Sequence, residues 1–325
     1  MSRLHFDLDA APREDVLQRA AETAPYSPFL TPAFADAQRR GGREIALLSL
    51  RRDSEMVSCC LAATKRGRLH TMVEIFSLPE GGDRPEFAEG LLHLCRSVTA
   101  DLLAVDSLGS RVRGVPPLGG RISHRTRREH IWSLAGKDLW SDLSANHRRN
   151  VTRARKAGVV VAVAEGEANL ERHLALTDAS LARRERRGEH VQTGDPQLAS
   201  WRVLLETGAA SLYQARLGDE VLSSILLLKA REGAYYHSAG TSPEGMRLGA
   251  SQMLIFEVAT RLSVEGLSVF NLGGAEPANE GLHRFKVGFG TSSQELEAAT
   301  YQVAGVVRRG VLWLADSARA VLSRS

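Results

Sequence analysis

The run SPEGMRLGASQMLIFEVATRLSVEGLSVFNLGG (242–274), followed after a short gap by GLHRFKVGFG (281–290), decides how this chain is read. Its first part is a Gly-bearing loop opening directly into an amphipathic helix expected near 248–264. Leu254, Val258 and Leu262, with Ile255 and Ala259, form the apolar stripe. The first N–H groups of a helix have no partner inside it, and the aligned peptide dipoles draw anions there. Arg247 adds a cation beside that start. LSVFNLGG (267–274) then reads as a buried strand ending in a polar residue and two glycines. Sites in α/β sheets gather at strand carboxyl ends, so Asn271 is a candidate for orienting a substrate. Asn before Gly-Gly is also plain turn chemistry. In GLHRFKVGFG, Gly288 and Gly290 let backbone come close to a ligand. Lys286, just ahead of them, can offer an ammonium to a phosphate or a developing oxyanion. The bland alternative is an exposed lysine on a strand with a glycine bulge.

The surroundings repeat one order of elements. Helices over 138–157 and 168–187 precede a strand pair, 211–218 and 220–230, joined across Gly218–Asp219 as a tight hairpin. A third strand, 233–241, carries Tyr235, Tyr236 and His237. Any of these could shuttle a proton, while half-buried packing is the structural alternative. The first half offers short helices at 13–24 and 31–40 and strands at 45–52, 56–66 and 68–76. A helix at 85–100 and a buried strand at 101–109 complete it. Both halves therefore read helices, meander, helix, strand. This predicts an α/β (α+β) fold of two units, each with a mainly antiparallel sheet flanked by helices. The expected division is 1–135 and 136–300. A tail helix within 301–325 is striped by Val303, Val307, Val311 and Leu314.

Composition agrees with two globular units: 325 residues, 43% hydrophobic and 25% charged. No apolar run reaches the roughly 18–20 residues that span a bilayer, and the start has no apolar segment, so the expected compartment is the cytoplasm. Cys59, Cys60 and Cys95 form no CxxC pair and read as buried thiols. The ten histidines show no metal-ligand spacing, and no metal is expected. The net charge is +4, from 42 basic and 38 acidic residues, and the basic residues crowd into 121–128, 147–156 and 183–187. On the helix of SANHRRNVTRARKAGVVV (144–161), Leu143, His147, Val151 and Ala154 make a narrow apolar stripe. Arg149, Arg153 and Lys156 share another face, with Arg148 and Arg155 on a third. Such a helix repels itself unless anions or acidic partners compensate. Phosphate contact and a solvated basic face both remain open. GxGxxG, GxxxxGK[ST], HExxH and GxSxG are all missing, which sets aside dinucleotide folds, P-loop ATPases, zincins and serine hydrolases.

Taken in order, RLGASQMLIFEVATRLSVEGLSVFNLGG, GLHRFKVGFG and the basic stretch 144–161 resemble the carboxyl half of the Fem family. That family comprises aminoacyl-tRNA-dependent ligases with tandem GNAT folds, within a broader group of GNAT acyltransferases. The likeness covers about 136–300. It implies two GNAT domains, the tail helix packed back on the first, and an acceptor held in the cleft between them. Phe285 and Lys286 would serve acyl transfer through a backbone N–H and the ammonium group. Arg247, Leu248, Gly249, Ala250 and Ser251 would face the donor phosphates. Arg148, Arg149, Arg153, Tyr236, Asn271 and Arg284 would meet the acceptor or further phosphates. The implied co-substrate is aminoacyl-tRNA, with no bound cofactor, and the acceptor is an amine on a peptidoglycan precursor or small peptide. The stretch 158–210 is too short for the long helical hairpin of some cell-wall members, which keeps acyl-CoA open as the donor. A non-catalytic RNA-binding module is a third reading, and the Arg clusters lack the interleaved aromatics it calls for. Arg308, Arg309 and Arg319 on the tail would give at most a weak membrane-surface contact.

Overall fold

A computed structural model describes residues 4–136, 138–186, 188, 197–275 and 279–304. The chain begins with β1 (Leu4–Asp9), α1 (Glu14–Thr23), a 3-10 turn (Pro28–Leu30) and α2 (Pro32–Arg40). Next come β2 (Glu44–Arg52), β3 (Glu55–Arg66), β4 (Thr71–Ile75), α3 (Pro85–Ser97), β5 (Leu102–Val105) and β6 (Arg121–Ser133). After them run α4 (Leu139–Asp142), α5 (Ala145–Lys156), β7 (Val160–Val163), α6 (Glu167–Glu185) and α7 (Gln197–Glu206). The last part holds β8 (Ala210–Leu217), β9 (Glu220–Lys229), β10 (Gly233–Thr241), α8 (Pro243–Leu248) and α9 (Ala250–Val264). It closes with β11 (Val269–Ala275), α10 (Glu280–Val287) and β12 (Ser292–Gln302).

Two compact units result. One takes the chain up to Thr23, Gly42–Thr126 and the residues from Leu296 on; the other takes Ala24–Gly41 and Arg127–Glu295. The chain thus passes from the first unit to the second inside β6, ahead of the 135/136 boundary expected from sequence, and returns inside β12. The segment with α2 belongs to the second unit. The tail helix expected over 301–325 falls, beyond Ala304, outside the described residues, as does Arg187 of the third basic run.

In the first unit the strand order is β1-β2-β3-β4-β5-β12, antiparallel except for β4 beside β5. Leu48, Leu50, Val73 and Ile75 from the sheet meet Phe87, Leu91 and Leu94 from α3 in its core. The thiols of Cys59, Cys60 and Cys95 are free and buried. Burial pushes the Cys59 thiol up to about 11 and the Cys95 thiol up to about 12.

The second unit orders its strands β6-β11-β10-β9-β8-β7, with β10 and β11 parallel and the other pairs antiparallel. β9 is the reason helices flank both faces. Its run VLSSILLL is buried throughout, the pattern of a strand covered on both sides. Leu222, Ile225 and Leu227 join the core built with α9, where Leu254, Ile255, Val258, Ala259 and Leu262 are all buried as their helical spacing predicts. α6 packs on β9 and β10. It docks through His173, whose ring nitrogens meet Ser224 Oγ at 2.9 Å and Ser238 Oγ at 2.8 Å. Burial lowers that imidazole to about 3, so it stays neutral and bridges one hydroxyl as donor and the other as acceptor.

Several elements differ from the sequence reading. β1, β6, α7 and β12 were not expected, and the single helix over 138–157 is two, broken at Leu143. The loop before α9 is the short helix α8, N-capped by Ser242, which accepts from Gly245 N–H at 2.9 Å. GLHRFKVGFG is no strand: residues 281–287 are helical and only 288–290 form a turn. The helical part belongs to α10, capped by the Asn279 side chain, which accepts from Leu282 N–H at 3.0 Å, with Lys286 in its last turn.

α6 comes close to the sheet at Gly240, where an added Cβ would lie 2.2 Å from the Leu176 carbonyl carbon. Overpacking of this kind typically costs about 1–3 kcal/mol. Gly240→Ala should therefore lower the urea midpoint by an equivalent amount. Gly119→Ala, where nothing lies within 4 Å, should change stability by less than about 0.5 kcal/mol.

Candidate functional site

β10 and β11 start as hydrogen-bonded neighbours and then part. Their pairing runs only from Gly233↔Val269 to Tyr235↔Asn271. On β10 the register against β9 shifts between Tyr236 and Ser238. On β11 the register against β6 shifts between Asn271 and Gly274. Gly273 is therefore skipped by both ladders, and its carbonyl needs another donor, since an unmet buried carbonyl is costly.

Lys286 supplies it. The ammonium Nζ donates to Gly273 O at 2.9 Å and Gly274 O at 2.7 Å, and lies 5.9 Å from the centroid of the Tyr236 ring. Only 5% of the residue is exposed. Burial lowers the ammonium to about 7; the Glu129 carboxylate pulls the other way, and Arg184 and Arg127 add to the lowering. The group thus changes charge near neutral pH, a property shared by many functional lysines.

Glu129 is a residue that sequence reasoning missed. It lies on β6 with no exposed surface. Its carboxylate accepts from Tyr235 Oη at 2.9 Å and Asn271 Nδ2 at 2.7 Å, with Arg127 Nη2 3.4 Å away. Asn271 Oδ1 accepts in turn from Gly273 N–H at 2.8 Å. Asn271 thus fixes the bulge that exposes the carbonyl held by Lys286. The signal lay in Glu129–His130 beside the apolar IWSL run, where a carboxylate at the edge of a buried strand has few explanations other than partnership.

Phe285 makes contacts that the sequence reading did not foresee. Inside α10 its N–H is directed along the helix axis, so a helix bond competes for the oxyanion donor foreseen there. Its carbonyl accepts from His147 Nε2 at 2.9 Å, and its ring meets His147 and Phe289 at 5.4 and 5.3 Å. His147, lowered by burial and partly raised again by that bond, joins α5 to α10.

The candidates for phosphate contact divide. Gly249 is the left-handed joint between α8 and α9, at φ 80°, and an added Cβ would meet Asn150 O of α5 at 2.7 Å. Leu248 and Ala250 are buried around it, and the Ser251 hydroxyl donates to Gln252 Oε1. The helix itself offers no acceptor to the N–H groups of Ala250, Ser251 and Gln252. Arg247 lies on the surface, paired with Glu244. Arg153 of α5 donates to Arg247 O at 2.8 Å, tying the basic helix to this start. Arg148 turns back onto the end of α4, donating to Leu143 O at 2.5 Å and Ser141 O at 3.3 Å. Arg149 and Arg284 are exposed on α5 and α10. The structure therefore brings Lys286, Asn271 and Tyr236 together at the parting strands. It places Arg247–Ser251 and Arg153 at a helix start following β10. Among the described residues no group of three or more His, Cys, Asp or Glu is placed to hold a metal ion. No helix there is long and apolar enough to cross a membrane.

Residues 141–287 match the family model of an acetyltransferase (GNAT) domain. No curated protein matches the chain by sequence. Similar solved structures include FemX, at 15% identity over 90% of this chain and 96% of that one, with a TM-score of 0.64. L-PGS from Bacillus licheniformis aligns at 14% identity over 94% and 96%, with a TM-score of 0.55. A tandem GNAT protein of clavulanic acid biosynthesis aligns at 14% over 93% and 99%, also at 0.55. At such identities the likeness is one of fold. The chain has a tandem GNAT fold similar to that of the Fem family, and its residues 141–287 carry the sequence of an acetyltransferase (GNAT) domain.

Proposed function

We propose that the chain is an N-acyltransferase that moves an aminoacyl group from aminoacyl-tRNA to an amine, with Lys286 as the charged group at the reacting carbonyl. The observation that carries this reading is the parting of β10 and β11 beside a buried ammonium. An extended donor strand can enter where the two strands stop pairing, and its carbonyl then meets a cation in a site sheltered from water. The amine attacks that carbonyl, and Lys286 balances the negative charge gathering on its oxygen. The free N–H groups at the start of α9 suit a donor phosphate. Arg149 and Arg153 on neighbouring α5 extend this basic face beyond what one pyrophosphate needs, which favours a polyanion such as tRNA.

Acyl-CoA is the second reading, favoured by the acetyltransferase domain match over 141–287. The two separate in one assay. With labelled aminoacyl-tRNA, transfer to an amine such as a cell-wall precursor or small peptide should proceed and stop on RNase treatment. Transfer from acetyl-CoA that RNase leaves untouched selects the second donor, and transfer from neither overturns acyl transfer itself.

Removing one well-placed donor to an oxyanion typically costs ~3–4 kcal/mol of barrier. Lys286→Ala should thus lower kcat on the order of a hundredfold, and near-wild-type turnover would remove the ammonium from the mechanism.

The pH dependence has a defined sign. Only the protonated amine balances an oxyanion, so activity should fall as pH rises through about 7. Glu129 holds that value up. Glu129→Gln should therefore move the alkaline limb of kcat/KM to lower pH, and a limb that stays in place would separate the two groups.

A further inference from the structure

The transfer needs a group to take the proton from the attacking amine, and Lys286 as an ammonium cannot. One turn before it on α10 stands His283, half-exposed, with a hydrogen-bond chain behind it that fixes its proton. The chain begins at the carbonyl of Lys286, which can only accept. The Thr291 hydroxyl donates to it at 3.1 Å. With its proton committed there, Thr291 Oγ1 can only accept from His130 Nδ1, 3.4 Å away. His130 therefore carries its proton on Nδ1 and offers Nε2 as an acceptor. His283 Nδ1 lies 3.2 Å from that Nε2 and must be the donor. The proton of His283 is on Nδ1, and the lone pair is on Nε2.

We propose that His283 Nε2 is the general base of acyl transfer, oriented by His130 and Thr291; this rests on the acyl-transfer reading above. The amine nitrogen bonds to the donor carbonyl carbon, whose π electrons move to oxygen, and the amine proton passes to His283 Nε2. The oxyanion then re-forms the carbonyl and breaks the bond to the leaving oxygen or sulfur. The imidazolium returns its proton to that departing group, so amide and free tRNA hydroxyl or thiol are the products.

His283 Nδ1 remains a donor in both charge states, so the chain behind it does not rearrange during the cycle. That requires His130 to stay neutral. Burial lowers it to about 4, helped by the charges of Lys286, His283 and Arg128. Those charges reach His130 from two elements, Lys286 and His283 on α10 and Arg128 on β6. Helix spacing puts residues i and i+3 on one side, so base and cation approach the carbonyl from the same face.

The test joins a spectrum to kinetics. In protein labelled with 15N-histidine, NMR should show His283 as the Nδ1–H form, the minor tautomer of free histidine. Thr291→Val should let the Nε2–H form appear and slow transfer roughly tenfold. His283→Ala and His283→Gln should lower kcat at least on the order of a hundredfold, and added imidazole should partly restore the alanine variant but not Lys286→Ala. A dominant Nε2–H form in the wild type overturns the assignment, whatever the activity. So does wild-type turnover in both His283 variants, or a loss in both that imidazole leaves unrepaired, and either result leaves acyl transfer standing. A wild-type protein that transfers from neither donor overturns both readings.

Discussion

A buried ammonium held by two carbonyls of one strand is the contact on which the rest of the second unit's chemistry depends. Placing a cation where so little water reaches is expensive unless its donors are met. Gly273 and Gly274 meet two of them because the neighbouring strand has moved away. If β10 and β11 zipped together to their ends, Gly273 O would have a backbone donor and Lys286 would lose an anchor. The bulges at His237 and at Leu272–Gly273, the Asn271 side chain that braces the second of them, and Glu129 beneath are parts of one arrangement. It keeps the strands apart and the lysine inside.

Much of the fold was legible because helices and hairpins announce themselves locally. The period of Leu254, Val258 and Leu262 fixed α9, and Gly218–Asp219 fixed the turn between β8 and β9. β6 was not legible. Its first half, RISHRTRR, is so heavily charged that no alternation of polar and apolar survives, and its identity comes from the strand beside it. α10 was obscured by its length. Eight residues with glycine near each end carry too little pattern to outweigh the turn-forming habit of glycine. The site was half visible for the same reason. Lys286 and Asn271 stood out by composition, whereas Glu129 and His130 gain meaning only from partners more than a hundred residues away.

The basic helix α5 shows how a charge cluster can be both structural and available. Arg148 and Arg153 spend donors on backbone carbonyls, and Arg155 pairs with Glu257 while lying over Trp140 and Phe256. These contacts relieve the self-repulsion that the sequence implies. They also fix α5 against the start of α9, where Gly249 leaves no room for a side chain. Arg149 can then present its charge from a rigid support.

The order in which the chain leaves the ribosome follows from β12. Its residues Ala299–Gln302 pair with Leu102–Val105 of β5, yet Arg127–Glu295, all of the second unit except its α2 segment, is made between them. The nascent first unit must wait with one margin of its sheet unoccupied while some 170 residues are synthesised, on the order of ten to thirty seconds at bacterial or slower rates. During that interval the uncovered β5 is a place where another chain could pair. Prompt collapse of the intervening unit, which brings the two ends of the insertion together, shortens that exposure.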